Sequence, residues 1–125
     1  MPVVDYAAMP EIAMRAGIAG KWIAGHEQGT TGVGVLSNVV EAGIVVPHHF
    51  HDYEEVVLVE EGEAWVEFDG ARVTATPGRA VIIPARAVHA WGTVSRTRLL
   101  FIWPSPDPFA PGKSTYVDGE PPKAA

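Results

Sequence analysis

The segment Gly43–Gly62 reads G-I-V-V-P-H-H-F-H-D-Y-E-E-V-V-L-V-E-E-G, and the rest of the chain is organised around it. His49, His51 and Glu55 all fall at odd positions, so a continuous strand would point the three to one face. Two imidazoles and a carboxylate on one face form a pocket suited to a divalent metal. Tyr53 shares that parity and has two readings. Its phenol reaches the mouth of the pocket as a proton donor or orienting group, or the chain turns between His51 and Glu55 and sends it to the surface. Glu54 has the wrong parity and is expected in solvent. His48 should face away from the pocket, on the surface or at an interface. A fourth ligand is available in His89, which sits in P-A-R-A-V-H-A-W on a second apolar segment.

These spacings carry a resemblance. Gly43, five residues, His49-x-His51, three residues, Glu55, six residues and Gly62 resemble the first motif of the cupin superfamily at every fixed position. The second cupin motif is matched in part. Gly78, Pro84 and His89 are in register, with Arg86 where Gly is usual and Thr93 where Asn is usual. The two motifs cover roughly the middle two-fifths of the chain. The resemblance implies an all-β, single-domain jelly-roll barrel (a double-stranded β-helix) that holds one metal through His49, His51, Glu55 and His89. Neither departure touches a ligand. Arg86 bears only on a turn, where Gly would supply a positive φ at no steric cost.

The 125-residue chain is long enough for one core and too short for two. Thirteen Gly and eleven Pro favour short strands and tight turns over long helices. With no cysteine, disulfides and thiolate metal sites are excluded, and any metal must be held by nitrogen and oxygen. A net charge of −6 argues against nucleic acid and against anionic membrane surfaces as partners. The start, M-P-V-V-D-Y-A-A-M-P-E, lacks the basic and apolar regions of a signal peptide, and no apolar run approaches the ~20 residues of a membrane span. A cytoplasmic protein is the expectation.

Along the chain, residues 1–20 are expected as an N-terminal arm, with Pro10 opening a short helix over Glu11–Ala16 that Gly17 ends. Residues 21–104 form the barrel. Lys21–Ala24, Val33–Val40, Val56–Glu60, Glu63–Phe68, Ala71–Ala75, Ala80–Ile83, Val88–Gly92 and Arg98–Trp103 read as strands, with a two-residue hairpin at Asp69-Gly70. Residues 105–125 are a Pro-rich tail, extended or disordered. His26 lies in a polar loop and receives no role.

Trp91, Phe101 and Trp103 are expected to wall the substrate pocket or to pack the core, which merge in a small barrel. Leu100 and Ile102, on the other face of the last strand, and Trp65, between two glutamates, need a cover. They lead to the expectation of a homodimer, with the termini adding strands across a neighbour. Three His and one Glu around an octahedral ion leave two positions for water, substrate or dioxygen. The expected function is a metal-dependent enzyme acting on a small oxygen-rich molecule, with Fe(II) dioxygenation first. An oxygen-independent isomerase, lyase or cyclase is the alternative among enzymes, and a non-catalytic ligand-binding module the alternative outside them. Iron is the first metal expected, with Mn, Ni, Zn or Cu possible, since nitrogen/oxygen sites follow the Irving–Williams order and supply decides.

Overall fold

In the computed structural model, residues 1–110 and 112–119 are described. Pro111 and residues 120–125 of the expected tail lie outside the described residues. Among the described residues, eleven strands make two antiparallel sheets. The six-stranded sheet has the order β1 (Ile12–Arg15), β2 (Ile18–Ala24), β3 (Gly34–Val40), β10 (Thr97–Trp103), β5 (Glu55–Glu61), β8 (Ala80–Ile83). The five-stranded sheet has the order β11 (Ser114–Tyr116), β4 (Val45–His51), β9 (His89–Thr93), β6 (Ala64–Phe68), β7 (Ala71–Ala75). From β3 onward the chain passes back and forth between the sheets, which makes the fold a jelly roll.

Alternation in the sequence sets which face is buried. Along β3, Leu36, Asn38 and Val40 are buried and Val35, Ser37 and Val39 only partly so. In β6, Ala64 and Val66 point into the core as their parity requires. The core between the sheets contains Leu36, Val57, Val59, Ile83, Leu99 and Phe101. At the β6–β7 hairpin, Asp69 (φ 53°) and Gly70 (φ 77°) both take the left-handed conformation that a two-residue type I′ turn needs. Gly62, the last residue of the first motif, has φ 85°, and a Cβ there would lie 2.3 Å from the Arg96 carbonyl oxygen. Arg86 adopts φ 66°, so the turn does use the conformation Gly favours. It makes an ion pair with Asp52 at 2.6 Å.

Three expectations are corrected. Glu11–Ala16 is not a helix: Ile12–Arg15 is a strand, and Gly17 turns it back onto β2. A single helical turn would gain little there, whereas pairing with β2 satisfies the backbone and buries Met14. The metal segment is not one continuous strand, because β4 ends at His51 and β5, in the other sheet, begins at Glu55. The termini do add strands, but to their own chain: β1 pairs with β2, and β11 pairs with β4 through Ser114–His51 and Tyr116–His49. Among the described residues no helix is long and apolar enough to cross a membrane.

Candidate metal centre

β4 brings two histidines inward by way of an irregularity. Val46 pairs with Trp91 and His49 with His89, so three steps on β4 match two on β9. Pro47, which has no N–H to give the ladder, lies within this bulge. His49 and His89 thereby become cross-strand partners with ring centroids 4.3 Å apart. His51 is one pleat further along β4, and the ligand nitrogens of His49, His51 and His89 all lie within 4.8 Å of one another. All three residues are buried.

Each imidazole is held by its own backbone. Nδ1 of His49 donates to the Pro47 carbonyl at 2.8 Å, Nδ1 of His89 to the Ala87 carbonyl at 2.8 Å, and Nδ1 of His51 to the Tyr53 carbonyl at 3.3 Å. A carbonyl can only accept, so Nδ1 carries a proton in each ring, and in the neutral imidazole Nε2 is the atom with the free lone pair. Glu55, fully buried at the start of β5, reaches the same place. Its Oε1 lies 3.7 Å from His51 Nε2, and its Oε2 lies 3.5 Å from His89 Nε2. Oε1 accepts a hydrogen bond from the Trp103 indole at 2.5 Å. Glu55 Oε2 and His89 Nε2, both buried, have no hydrogen-bond partner. With the imidazole neutral, two lone-pair atoms face each other in a dry site, an arrangement that costs free energy unless a cation, a proton or a metal ion, lies between them.

The electrostatics agree. Burial, and then the neighbouring His89, push the His49 imidazole down to about 4, and burial likewise lowers His51. Burial works to raise the Glu55 carboxyl, but the imidazoles of His89 and His51 and the Trp103 indole outweigh it and hold the acid below its ordinary range. Burial thus disfavours the protonated form of His49 and His51 while Glu55 is held as the carboxylate, the protonation states a metal requires. Three nitrogens and one oxygen suit a borderline divalent transition ion.

The chain does turn between His51 and Glu55, yet Tyr53 does not go to the surface. Its ring stacks on His51 with centroids 4.8 Å apart and planes 6° apart, and its hydroxyl donates to the Pro108 carbonyl at 2.8 Å. Burial, and then the Glu55 charge, raise its ionisation above that of an ordinary phenol. Trp91, Phe101 and Trp103 all line the cavity and are also core, with Phe101 and Trp103 stacked at 5.6 Å. Trp103 does more than wall the pocket, since its N–H fixes Glu55. His48 faces outward between Asp118 (2.9 Å) and Glu67 (3.2 Å). Glu54 is exposed, and Trp65 is half-buried beneath the Arg72 guanidinium, 3.8 Å from its ring centre. His26 lies 4.0 Å from Asp107, away from the histidine trio.

Among the lining residues that were not anticipated are Arg15 on β1, Asn38 on β3, and Pro108 and Tyr116 from the C-terminal segment. Tyr116 stacks on His49 at 4.7 Å, and its hydroxyl accepts from Arg15 at 3.4 Å. Only Asn38 had left a readable sign, as a polar residue at a buried parity of a Val-rich strand. The cavity holds about 50 Å3, which at ~10–15 Å3 per water is room for an ion and a few ligand atoms.

Comparison with known proteins places this geometry. Residues 36–104, more than half of the chain, match the family model of the cupin domain. No curated protein matches the chain by sequence. Among solved structures, the polyketide cyclase RemF from Streptomyces resistomycificus superposes with a TM-score of 0.81 at 20% identity, over 96% of this chain and 87% of that one. KdgF from Halomonas sp. gives 0.74 at 19% identity, over 86% and 97%. A single-residue variant of Bacillus subtilis oxalate decarboxylase gives 0.76 at 13% identity, over 91% of this chain but 32% of that one. At these identities the likenesses show the fold alone. By its family match, the chain belongs to the cupin family.

Proposed function

We propose that this cupin is a metal-dependent enzyme that acts on a small, oxygen-rich organic molecule, with Fe(II)-dependent dioxygenation as its reaction. The observation that carries the metal is the pair of unpartnered buried atoms, Glu55 Oε2 and His89 Nε2, 3.5 Å apart beside the other two histidines. His49, His51, Glu55 and His89 would hold one ion per chain, iron first among Fe, Mn, Ni, Zn and Cu. A fold neighbour, oxalate decarboxylase of Bacillus subtilis, has Mn(II) centres. When bound, such an ion supplies a Lewis acid for an enolate or carboxylate oxygen and, as iron, a site for dioxygen.

The remaining work falls to the chain's own residues. The Trp103 indole orients Glu55, and the backbone carbonyls fix the three imidazoles. Trp91 and Phe101 exclude water beside the trio. Tyr53 would act as the proton donor once its hydroxyl leaves the Pro108 carbonyl, and otherwise orients His51 by stacking. The phenols of Tyr53 and Tyr116, each stacked on a ligand histidine, favour a second reading in which proton transfer without oxygen makes the protein a lyase, isomerase or cyclase. The test is anaerobic purification, metal analysis and oxygen uptake with small 1,3-dicarbonyl and catechol-like compounds. Uptake with Fe(II) and none with Zn(II) supports dioxygenation. Turnover unaffected by the removal of oxygen replaces it with the second reading, and no turnover of either kind leaves a binding module.

The working unit we propose is a homodimer formed through the outer face of the six-stranded sheet. Register puts Val35, Ile102, Val56 and Ile82 in one row and Leu100, Leu58 and Ala80 in the next. Ile82 is 60% exposed, and the others retain partial exposure or more. A contiguous apolar face of this kind is the usual centre of an interface. Light scattering should give twice the chain mass, and Leu100→Glu with Ile82→Glu should halve it. A monomer mass for the unmodified chain would sink the idea.

A further inference from the structure

The cavity beside the trio holds about 50 Å3, whereas sites for organic ligands begin at ~300 Å3. By itself it takes the chelating end of a substrate and little more. A second hollow adjoins it, with a volume of about 270 Å3, lined by Trp22 of β2, residues 25–28 and residues 106–110. Pro108 and Phe109 line both spaces, and so form a wall common to the two. The Tyr53 hydroxyl donates to the Pro108 carbonyl at 2.8 Å. The wall is thereby latched to the ring that stacks on His51.

The inner end of this hollow is aromatic. Phe109 meets Trp22 edge-on at 6.0 Å and Trp103 edge-on at 5.4 Å, and Trp22 and Trp103 lie 6.4 Å apart. Trp103 is also the indole that donates to Glu55, so a line of ring contacts leads from the carboxylate to the second hollow. Phe109 nevertheless keeps 41% of its surface exposed. An aromatic surface left open in a concave site is where a further ring gains by edge-on or offset contact. The rim has a different character. Among the described lining residues its charged groups are Glu27 and Asp107, with His26 4.0 Å from Asp107, and no Lys or Arg is among them. Like charge is rejected at such a rim, so the anionic oxygens of a ligand belong at the metal end and its ring carries no negative charge.

We propose that the hollow bounded by Trp22, Phe109 and Asp107 is a subsite for an uncharged or cationic aromatic ring of the substrate, whose oxygens chelate the metal on the far side of the wall. The inference rests on the metal reading above and narrows its substrate from a small oxygen-rich molecule to one that bears an aryl group. A ligand that spans both spaces displaces Pro108 and Phe109 and parts the Tyr53 hydroxyl from the Pro108 carbonyl. Docking of the ring thereby frees the phenol placed to donate a proton.

The test is isothermal calorimetry of the Zn(II)-loaded protein with hydroxamates, which chelate zinc through the same two oxygens whatever group they carry. Acetohydroxamate is compared with benzohydroxamate, phenylacetohydroxamate and phenylpropanohydroxamate, which set the ring at increasing distance from the metal. At least one phenyl compound should bind about tenfold or more tighter than acetohydroxamate. Trp22→Leu should remove most of that gain while leaving zinc content and acetohydroxamate affinity unchanged. A carboxylate at the para position of the same ring should abolish the gain, and Asp107→Lys, at an exposed rim position, should restore it. Phenyl compounds no tighter than acetohydroxamate would overturn the subsite and leave the metal reading intact. So would a gain that persists in Trp22→Leu, a para-carboxylate that binds as well as the parent ring, or no recovery in Asp107→Lys. Failure of the unmodified chain to take up zinc would overturn the metal reading, and this inference with it.

Discussion

His48 and His49 are neighbours on β4 and behave as opposites. His49 faces the cavity, buried among other imidazoles, and burial drives its proton off down to about 4. His48 faces outward, and its hydrogen bonds to Asp118 and Glu67 raise its pKa above the ordinary imidazole value. One residue of register separates a group that rejects a proton from one that holds it. The inner face is dry and presents lone pairs with no proton to share. The outer face is wet and matches charge with charge. What distinguishes them is desolvation, which disfavours the protonated imidazole on the buried face.

The largest effect that would break this contrast is the loss of an inner partner. Trp103→Phe removes the donor to buried Glu55 and should destabilise the metal-free protein by about 2 kcal/mol in urea unfolding, the cost of an unpartnered buried carboxylate oxygen. On the outer face, Arg72→Ala removes the ion pair to Glu67 and the cover of Trp65, and should cost under about 1 kcal/mol. Equal losses would mean that burial does not separate the two faces.

An intermediate effect is read in pH. The unfolded chain takes up protons on His49 near pH 6.5, while the fold accepts none there until about 4. Unfolding therefore binds protons in that window, and the metal-free protein should lose stability as pH falls from about 6.5 to about 4. His48 has the opposite sign. Its raised pKa contributes stability that is complete below 6.5 and fades as pH rises through the folded value. Chemical denaturation across pH should show both slopes, the second small because His48 is well exposed to solvent. His48→Ala should flatten the slope above 6.5 and leave the fall between about 6.5 and 5 unchanged, while at lower pH it acts through Glu67 and Asp118, whose carboxyls it holds down. A change in the slope between about 6.5 and 5 would tie the two faces together.

The smallest effect concerns the turn behind His51. Arg86→Gly relieves a left-handed φ of 66°, worth about 1 kcal/mol, and gives up an exposed ion pair with Asp52 worth ~0–1 kcal/mol. The net should be a gain of under about 1 kcal/mol by thermal melting. A clear loss would show that Asp52–Arg86 clamps the end of β4.

What could be read from the sequence follows the same divide between inside and outside. Strands β3, β5, β6 and β10 were legible because each buries one face of a period-two pattern, and their neighbours because turn residues such as Asp69-Gly70 and Gly62 admit few conformations. His49, His51 and His89 were legible as a trio because motif spacing carries them. The break between His51 and Glu55 was not, since parity along one strand and a switch between sheets place the same residues together. β1 and β11 were hidden for another reason. They are short edge strands whose bonds come from β2 and β4, so nothing local marks them, and with them went Arg15 and Tyr116. Asn38 was the missed clue: a polar residue at a buried parity asks for a partner, and the strand offers none.

The measurement that bears most directly on the account is metal content per chain by mass spectrometry, after purification and Fe(II) or Zn(II) loading. The unmodified chain should carry one ion. His49→Ala, His51→Ala and His89→Ala should each drop well below that while remaining folded by circular dichroism, and His48→Ala, one residue away on the opposite face, should keep the full ion. Full occupancy in all three inner variants, or an unmodified chain that takes up no metal, would contradict it.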